Sequence, residues 1–248
     1  MKYVVGVDLG QMADYTAVAI LERIVLPPPA SPPAGQWSAP PAGVATYWKR
    51  PPVPDPLCRY ECGHLERLKL NTPYPDMVVH VAHLLREPAL AESETALVVD
   101  ATGVGRPVID MLERAKLKPI AVTIHGGDTV TKEWNNWRIP KRDLIGGLVV
   151  LLQTDRLKFA SHLPAVPQLV QELTAYRVKI DPLTAHDSYN AREGAHDDLI
   201  LAVAIAAFYG EDWRPPIKRR TGLGSVSYPE YGGRFAPPMP GPYGRGSF

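Results

Sequence analysis

The segment 194–210, GAHDDLILAVAIAAFYG, places two adjacent aspartates directly before a run of mostly aliphatic residues. A helix this apolar must pack in a core, whereas charged pairs enter a core only with a partner. We expect a buried helix from about Ala195 to about Gly210, with Asp197 and Asp198 in its first turn, where the helix dipole favours an acid. Such a helix would hold its first turn rigidly against a sheet.

Hydrophobic periodicity divides the rest of the chain into alternating strands and helices. Strands are expected at 2–10, 15–25, 44–49, 96–100 and 119–125, a short extended segment at 156–160, and helices at 76–87, 105–116, 140–155 and 164–177. This order predicts an α/β fold with a mixed central sheet, built from an antiparallel N-terminal meander and parallel strands and flanked by helices.

Proline, glycine and charge mark the expected domain limits. A single domain is expected over 1–210, interrupted by a proline-rich insertion at 27–56 that holds eleven prolines. Residues 211–248 are expected to form a flexible, basic, Pro/Gly-rich tail, and from Arg214 onward it carries six basic residues against one acidic residue. Such a tail suits contact with a polyanion, although a solvated tail explains the charges equally well.

Composition excludes several classes of protein. The longest apolar stretch is about half the length of a membrane span, and the N-terminus MKYVVGVDLG lacks a signal-peptide layout. Two cysteines cannot supply a disulfide framework. We therefore expect a cytoplasmic protein without a membrane partner.

Two further acids stand at the ends of apolar strands. Asp8 follows 3-YVVGV-7 and Asp100 follows 96-ALVV-99. Ligands of open α/β sheets bind at the carboxyl ends of the strands, and carboxylates that meet there repel one another unless a cation lies between them. With one or both aspartates of the final helix, they would form a cluster of three or four carboxylates suited to a hard divalent cation. Each of these aspartates taken alone is more often a cap than a ligand.

Three other features have both a functional and a structural explanation. His196 is a possible accessory site residue, although a structural or solvent-facing imidazole is commoner. The glycines of 103-GVG-105 suit a phosphate at a helix N-terminus or simply a tight turn. Cys58, Cys62 and His64, with His80 or His83, could hold zinc, but two reduced thiols are the commoner case.

The segment 125–143 interleaves basic residues with tryptophans, a pattern that suits phosphates and unstacked bases. The alternative is a loop that packs Trp134 and Trp137 on the body of the protein. The candidate DNA-binding residues are Lys132, Arg138, Lys141 and Arg142.

Four motifs in this order resemble the nuclease domain of phage terminase large subunits, the DNA-packaging motors of tailed phages. They are 6-GVDLGQMADYTA-17, 98-VVDATGVGRPVIDML-112, 140-PKRDLIGGLVVLLQ-153 and 194-GAHDDLILAVAIA-206. The resemblance covers roughly 1–210 and implies an RNase H-like fold.

The resemblance also implies an activity and a site. The activity is a metal-dependent endonuclease that hydrolyses DNA phosphodiester bonds with two Mg²⁺ or Mn²⁺ ions held by Asp8, Asp100 and Asp197 or Asp198. Asp8 is the best candidate to bridge both ions, and Lys141 matches a recurrent lysine of the family. A phage-encoded enzyme of this kind would act in the host cytoplasm.

One feature departs from that family. The sequence has no G-x-x-x-x-G-K-[ST] loop, the mark of the packaging ATPase, and Met1 falls five residues before GVD. The chain is then expected to be an excised domain, a separately encoded nuclease subunit or a relative with another role. The expected partners are double-stranded DNA and a separate packaging ATPase, portal or small terminase subunit. Three alternatives stay open: a RuvC-like resolvase on branched DNA, an actin-like or sugar-kinase-type ATPase, which also opens with VGVDLG, and a non-catalytic packaging module.

Overall fold

The computed structural model describes residues 1–10, 14–27, 57–103, 106–180, 187–191 and 196–212. An eight-stranded sheet runs through this part of the chain in the order β6-β7-β5-β4-β1-β2-β3-β8. Its strands are β1 Tyr3–Asp8, β2 Ala17–Val25, β3 Cys58–Arg67, β4 Thr95–Asp100, β5 Pro119–His125, β6 Thr131–Glu133, β7 Asn136–Pro140 and β8 Leu157–Phe159. A second pair, β9 Tyr176–Ile180 and β10 Asp187–Ala191, is antiparallel.

The mixed sheet agrees with the prediction from sequence. Strands β1, β2 and β3 form the antiparallel meander, while β1–β4, β4–β5, β5–β7 and β3–β8 pair in parallel. Strands β1 and β4 are central because their residues are apolar almost without alternation, as strands covered on both faces must be.

Helices cover both faces of the sheet. They are α1 Tyr74–Leu84, α2 Pro88–Ala91, α3 Arg106–Arg114, α4 Lys141–Gln153, α5 Val166–Ala175 and α6 Asp198–Asp212. One core joins the sheet to α1, α2 and α3, and the other joins it to α4, α5 and α6. No helix within the described ranges is long and apolar enough to cross a membrane.

Helix α6 lies directly on the sheet, and eleven of its fifteen residues are buried. Its backbone approaches β1 so closely at Gly6 that a Cβ there would stand 2.1 Å from the carbonyl oxygen of Ala202. Glycine is thus required in β1 because any side chain would overlap the helix backbone. The predicted apolar helix is confirmed, but it runs from Asp198 to Asp212, so Asp197 lies just before its first turn rather than in it.

Strand β3 is not among the strands expected from the sequence, where Cys58, Cys62 and His64 suggest a possible metal motif instead. A bulge interrupts its pairing with β2, where Ile20 pairs with His64 but Leu21 pairs with Cys62, which leaves Gly63 as the extra residue. Before the bulge, Tyr60 and Cys62 face the core of α4, α5 and α6; after it, Leu65 does so. The bulge therefore changes which alternate residues face each side of the sheet.

The other differences from the sequence predictions are local. The segment 125–143 contains the hairpin β6–β7 rather than only a loop, and the helix predicted over 164–177 ends at Ala175, where β9 begins. The strand predicted at 44–49 and nearly all of the 27–56 insertion lie outside the described residues. So does the tail from residue 213 onward.

Candidate active site

Asp8 and Asp100 end the two central strands side by side. Strands β1 and β4 run parallel with Asp8 in register with Asp100, and the residues are 8% and 5% exposed. Burial, followed by the charge of Asp100, raises the pKa of Asp8 well above its usual range, and burial also raises the pKa of Asp100. The two carboxyl groups lie close enough that each changes the pKa of the other. Two buried carboxyl groups without enough compensating positive charge thus stand on neighbouring strands at the same edge of the sheet.

The turn after β4 fixes the Asp100 carboxylate. The backbone N–H of Thr102 donates to Asp100 Oδ1 at 2.8 Å, and the Thr102 hydroxyl accepts from the N–H of Ile124 at 2.7 Å. Gly103 follows with a φ of 80°, a conformation that side chains rarely adopt. Gly103 is therefore explained by the tight turn between β4 and α3, the structural alternative to a phosphate site. Val104 and Gly105 lie outside the described residues.

Asp197 and Asp198 reach the same edge of the sheet from the start of α6, and both raise the pKa of Asp8. Asp197 Oδ2 accepts from Lys141 Nζ at 2.7 Å, and Lys141 is the first residue of α4. The charge of Lys141 also lowers the pKa of Asp100, although burial outweighs it. Lys141 thus lies between acids from two elements of the site.

Asp198 makes a different ion pair, with a residue that the sequence did not single out. Its Oδ2 lies 2.9 Å from Arg67 Nη2, and the same nitrogen donates to Glu172 of α5. Burial raises the pKa of Asp198 to about 6 and that of Glu172 to about 7, and the charge of Arg67 opposes both shifts. The two neighbouring aspartates thus meet different cations, Asp197 that of Lys141 and Asp198 that of Arg67.

His196 stands at the rim of the site. Its Nδ1 lies 3.9 Å from Asp198 Oδ2, and its ring packs edge-on against Tyr15 with centroids 5.0 Å apart. The guanidinium of Arg67 covers the same tyrosine ring at 4.6 Å from the centroid. Tyr15 therefore connects His196 to the arginine beneath it.

The donor set bears on which cation these acids suit. Within the ranges that the structure describes, no three or more Asp, Glu, His or Cys side chains are placed to hold one ion together. Asp8 and Asp100 meet, while Asp197 and Asp198 are engaged by Lys141 and Arg67. The chemistry of the Asp8–Asp100 pair fits a hard divalent cation, because its oxygens are the preferred ligands and a cation would relieve their repulsion.

The candidate DNA-binding residues have varied surroundings. Lys132 pairs with Asp212 and lies 4.3 Å over the ring of Trp137. Arg142 pairs with Asp128 at 2.5 Å, whereas Arg138 is exposed on β7.

The two tryptophans of that segment differ as well. Trp134, between β6 and β7, is 99% exposed with a φ of 55°, whereas Trp137 is 8% exposed and packs on Tyr209. The packing explanation therefore holds for Trp137 only, and DNA binding by this segment stays a prediction.

The possible zinc ligands Cys58, Cys62, His64 and His80 do not assemble into one site. Cys58 and Cys62 are buried in the core beneath β3, and burial raises the pKa of the Cys62 thiol to about 12. His64 and His80 do come together, but on the carboxylate of Glu66, at 3.0 and 2.5 Å. The bulge at Gly63 separates these groups, because it turns His64 to the face opposite that of Cys62.

Sequence reasoning missed Arg67, Glu172 and Thr102. Arg67 and Glu172 come from β3 and α5, far apart in the chain, and no motif connects them. The contact with Thr102 had a usable signal in Asp100, since an aspartate side chain often accepts a hydrogen bond from the backbone N–H two residues on.

The fold is RNase H-like, the fold of large terminase nuclease domains. The large terminase nuclease of the thermophilic phage G20c matches with a TM-score of 0.50 at 16% identity, over 85% of this chain and 82% of that one. The fold expected from the sequence resemblance is therefore confirmed.

Two other solved structures are similar. The Mn-soaked terminase nuclease domain of human cytomegalovirus matches with a TM-score of 0.45 at 12% identity, over 85% of each chain. The Mn-bound g2p (large terminase) nuclease domain of bacteriophage SPP1 matches with a TM-score of 0.42 at 12% identity, over 86% of this chain and 88% of that one. No protein-family model and no curated protein matches the sequence.

Proposed function

We propose that this protein is a metal-dependent endonuclease that hydrolyses phosphodiester bonds of double-stranded DNA, serving as the nuclease of a phage or prophage packaging terminase. The observation that carries the proposal is the pairing of Asp8 with Asp100, in register and buried, at the edge where α6 presents Asp197 and Asp198. Acids from three separate elements at one end of a nuclease fold are more specific than any one of them. The G20c match concerns nucleases and does not favour the actin-like or sugar-kinase alternative.

Asp8 and Asp100, with Asp197 or Asp198, would hold two Mg²⁺ or Mn²⁺ ions. When bound, such ions supply Lewis-acid stabilisation of the attacking and leaving oxygens and lower the pKa of a bound water. Thr102 keeps the Asp100 carboxylate oriented through its backbone N–H. Lys141 places a positive charge beside the acids, where it is suited to a phosphate of the substrate.

The proposed partners follow from the proposed role. Double-stranded DNA would lie across the edge that carries the acids, with Lys132, Arg138 and Arg142 as its candidate contacts beside Lys141. A separate packaging ATPase, portal or small terminase subunit would present the DNA, and the reaction would take place in the host cytoplasm.

Plasmid nicking with Mg²⁺ or Mn²⁺ tests the proposal. Wild type should convert supercoiled plasmid to nicked and linear forms, and EDTA should abolish the activity. Asp8→Asn, Asp100→Asn and Asp198→Asn should each lower the rate by at least about 100-fold, since each removes a charge from the site. Asp110→Asn is the matched control, because Asp110 lies on the surface of α3 in an ion pair with Arg106.

Full activity in all three site variants would refute the nuclease assignment. A four-way DNA junction as a second substrate separates a resolvase, which would prefer it, from the proposed enzyme. Nucleotide hydrolysis measured on the same samples tests the ATPase class.

A further inference from the structure

Three buried charged groups form a cluster that includes one proposed metal ligand, Asp198, and two groups behind it, Arg67 and Glu172. The side chains of Arg67, Glu172 and Asp198 are 9%, 6% and 7% exposed. One nitrogen, Nη2 of Arg67, contacts both carboxylates, with Asp198 Oδ2 at 2.9 Å. The guanidinium also covers the ring of Tyr15. The arginine is thus held from three sides, which fixes it more firmly than a single ion pair would.

Glu172 connects this cluster to the backbone of α6. Its Oε2 accepts a hydrogen bond from the N–H of Ile200 at 3.2 Å, while Oε1 accepts from Arg67. The first N–H groups of a helix have no partner within the helix, so Glu172 caps the turn that carries Asp198. Strand β3, α5 and α6 are therefore joined at one point by buried polar contacts.

Burying these three charged groups costs hydration free energy, which suggests that the cluster serves a function other than stability. Buried ion pairs are weak sources of stability, because the loss of hydration offsets much of the attraction. Stability alone therefore gives little reason to bury three charges next to Asp8 and Asp100. A fixed guanidinium does, however, favour one orientation of a neighbouring carboxylate. Asp198 Oδ2 is buried and lies 2.9 Å from Arg67 Nη2 in an ion pair without a hydrogen bond, which leaves this oxygen able to accept a further ligand.

We propose that Arg67, held in place by Glu172, is a positioning residue that orients the Asp198 carboxylate for divalent metal binding. This inference rests on the proposed function. The arginine stays in its pair with Asp198 when metal binds and is not displaced by it. Its substitution therefore weakens metal binding itself, before any DNA is present.

Manganese binding to the full chain tests this, measured by calorimetric titration and by EPR of free Mn²⁺ after removal of bound metal with EDTA. Arg67→Met should weaken Mn²⁺ affinity by about 10–100-fold, the usual effect of removing a group that orients a ligand. Arg67→Lys keeps the charge but loses the flat contact with Tyr15 and should give an intermediate affinity. Thermal melts of each metal-free variant establish that it is folded.

Arg156→Met is the matched control. Arg156 Nη2 lies 2.6 Å from Glu211 Oε1, at the end of α6 opposite Asp198. Removing the Arg156 guanidinium therefore disturbs the same helix without touching the proposed site. It should lower the melting temperature while leaving Mn²⁺ affinity within about twofold of wild type.

The outcomes separate the two proposals. If Arg67→Met folds and binds Mn²⁺ with wild-type affinity, the positioning role is wrong. If Arg67→Met does not fold, wild-type Mn²⁺ affinity in Arg67→Lys gives the same conclusion. In both cases the nuclease assignment stands. Tighter binding by Arg67→Met would show that the guanidinium competes with the cation, which also overturns the inference. A wild-type protein that binds no Mn²⁺ overturns the proposed metal-dependent function and this inference with it.

Discussion

The contact between Gly6 and α6 gives the sharpest prediction for the stability of this protein. A methyl group at Gly6 would stand 2.1 Å from the Ala202 carbonyl oxygen and 2.9 Å from the Ala206 Cβ. Ordinary contacts of this kind begin near 3.4 Å, so Gly6→Ala requires a shift of more than 1 Å between strand and helix. The atom in the way belongs to the backbone of a buried helix and cannot move aside by changing rotamer.

The magnitude follows from the cost of overpacking. Extra methylene groups in a packed core cost about 1–3 kcal/mol, and a clash with backbone belongs at the upper end of that range or above it. For a domain of this size, about 3 kcal/mol corresponds to a fall in melting temperature of about 6–12 °C. Because Ala202 lies one turn after Asp198, the shift should also move the proposed ligand and weaken Mn²⁺ binding.

Differential scanning calorimetry of the metal-free protein measures the first effect, and Mn²⁺ titration measures the second. The matched control is Gly63→Ala: a Cβ at Gly63 meets no atom within 4 Å, so its melting temperature should change by less than about 2 °C. A Gly6→Ala protein that melts within about 2 °C of wild type would refute the close packing of α6 on β1. A large fall in melting temperature with unchanged Mn²⁺ affinity would refute the role of this contact in placing the acid.

Three further predictions address other parts of the molecule. Gly146→Ala should raise the free energy of unfolding by about 0.5–1 kcal/mol in a denaturant titration, because Gly146 lies inside α4 with open space around it; a destabilised variant would contradict this. In metal-free protein, Asp198 and Glu172 have pKa values raised to about 6 and about 7, so both bind protons more tightly when folded. Their contribution to stability should be fully present below about pH 4 and lost as the pH rises to about 7. Asp198→Asn should reduce that loss in thermal melts across this pH range. An unchanged dependence of melting temperature on pH would argue against a buried carboxylate at this position. Trp137→Ala should cost about 3–5 kcal/mol, whereas Trp134→Ala should change stability by less than about 0.5 kcal/mol, and equal effects in denaturant titrations would contradict the difference in burial.

The alternation of β1, β2, β4 and β5 with the helices, and the placing of Asp8 and Asp100 at one edge of the sheet, were predictable from sequence, whereas β3 and the β6–β7 hairpin were not. Both acids end strands that are apolar on both faces, and such strands lie at the centre of a parallel sheet, where their carboxyl ends share one edge. The sequence could not predict that the pair would be in register, because register depends on contacts along the whole of β1 and β4. It could not separate the roles of Asp197 and Asp198 either, since that depends on which cations α4 and β3 bring to α6.

Arg67 could not be found from sequence because of the bulge in β3. Strict alternation from Cys58, Tyr60 and Cys62 would place Arg67 on the opposite face, away from α6. The extra residue at Gly63 shifts the alternation by one, so that Arg67 faces the α6 side of the sheet and pairs with Asp198. A shift by one residue exchanges the faces of every position that follows, and no local signal other than the glycine announces it.

The position of the acids also explains why an apolar helix carries them. The contact between Gly6 and Ala202 lies two residues before Asp8 on β1 and four residues after Asp198 on α6. Two strand residues span about 7 Å and four helix residues span about 6 Å, so each acid is joined to the contact by a short, regular segment of backbone. A loop of the same length would allow the carboxylates to move by several ångströms relative to one another. With α6 packed closely on β1, the separation of Asp8 and Asp198 is set by the core, which gives the rigidity that the proposed metal site would require.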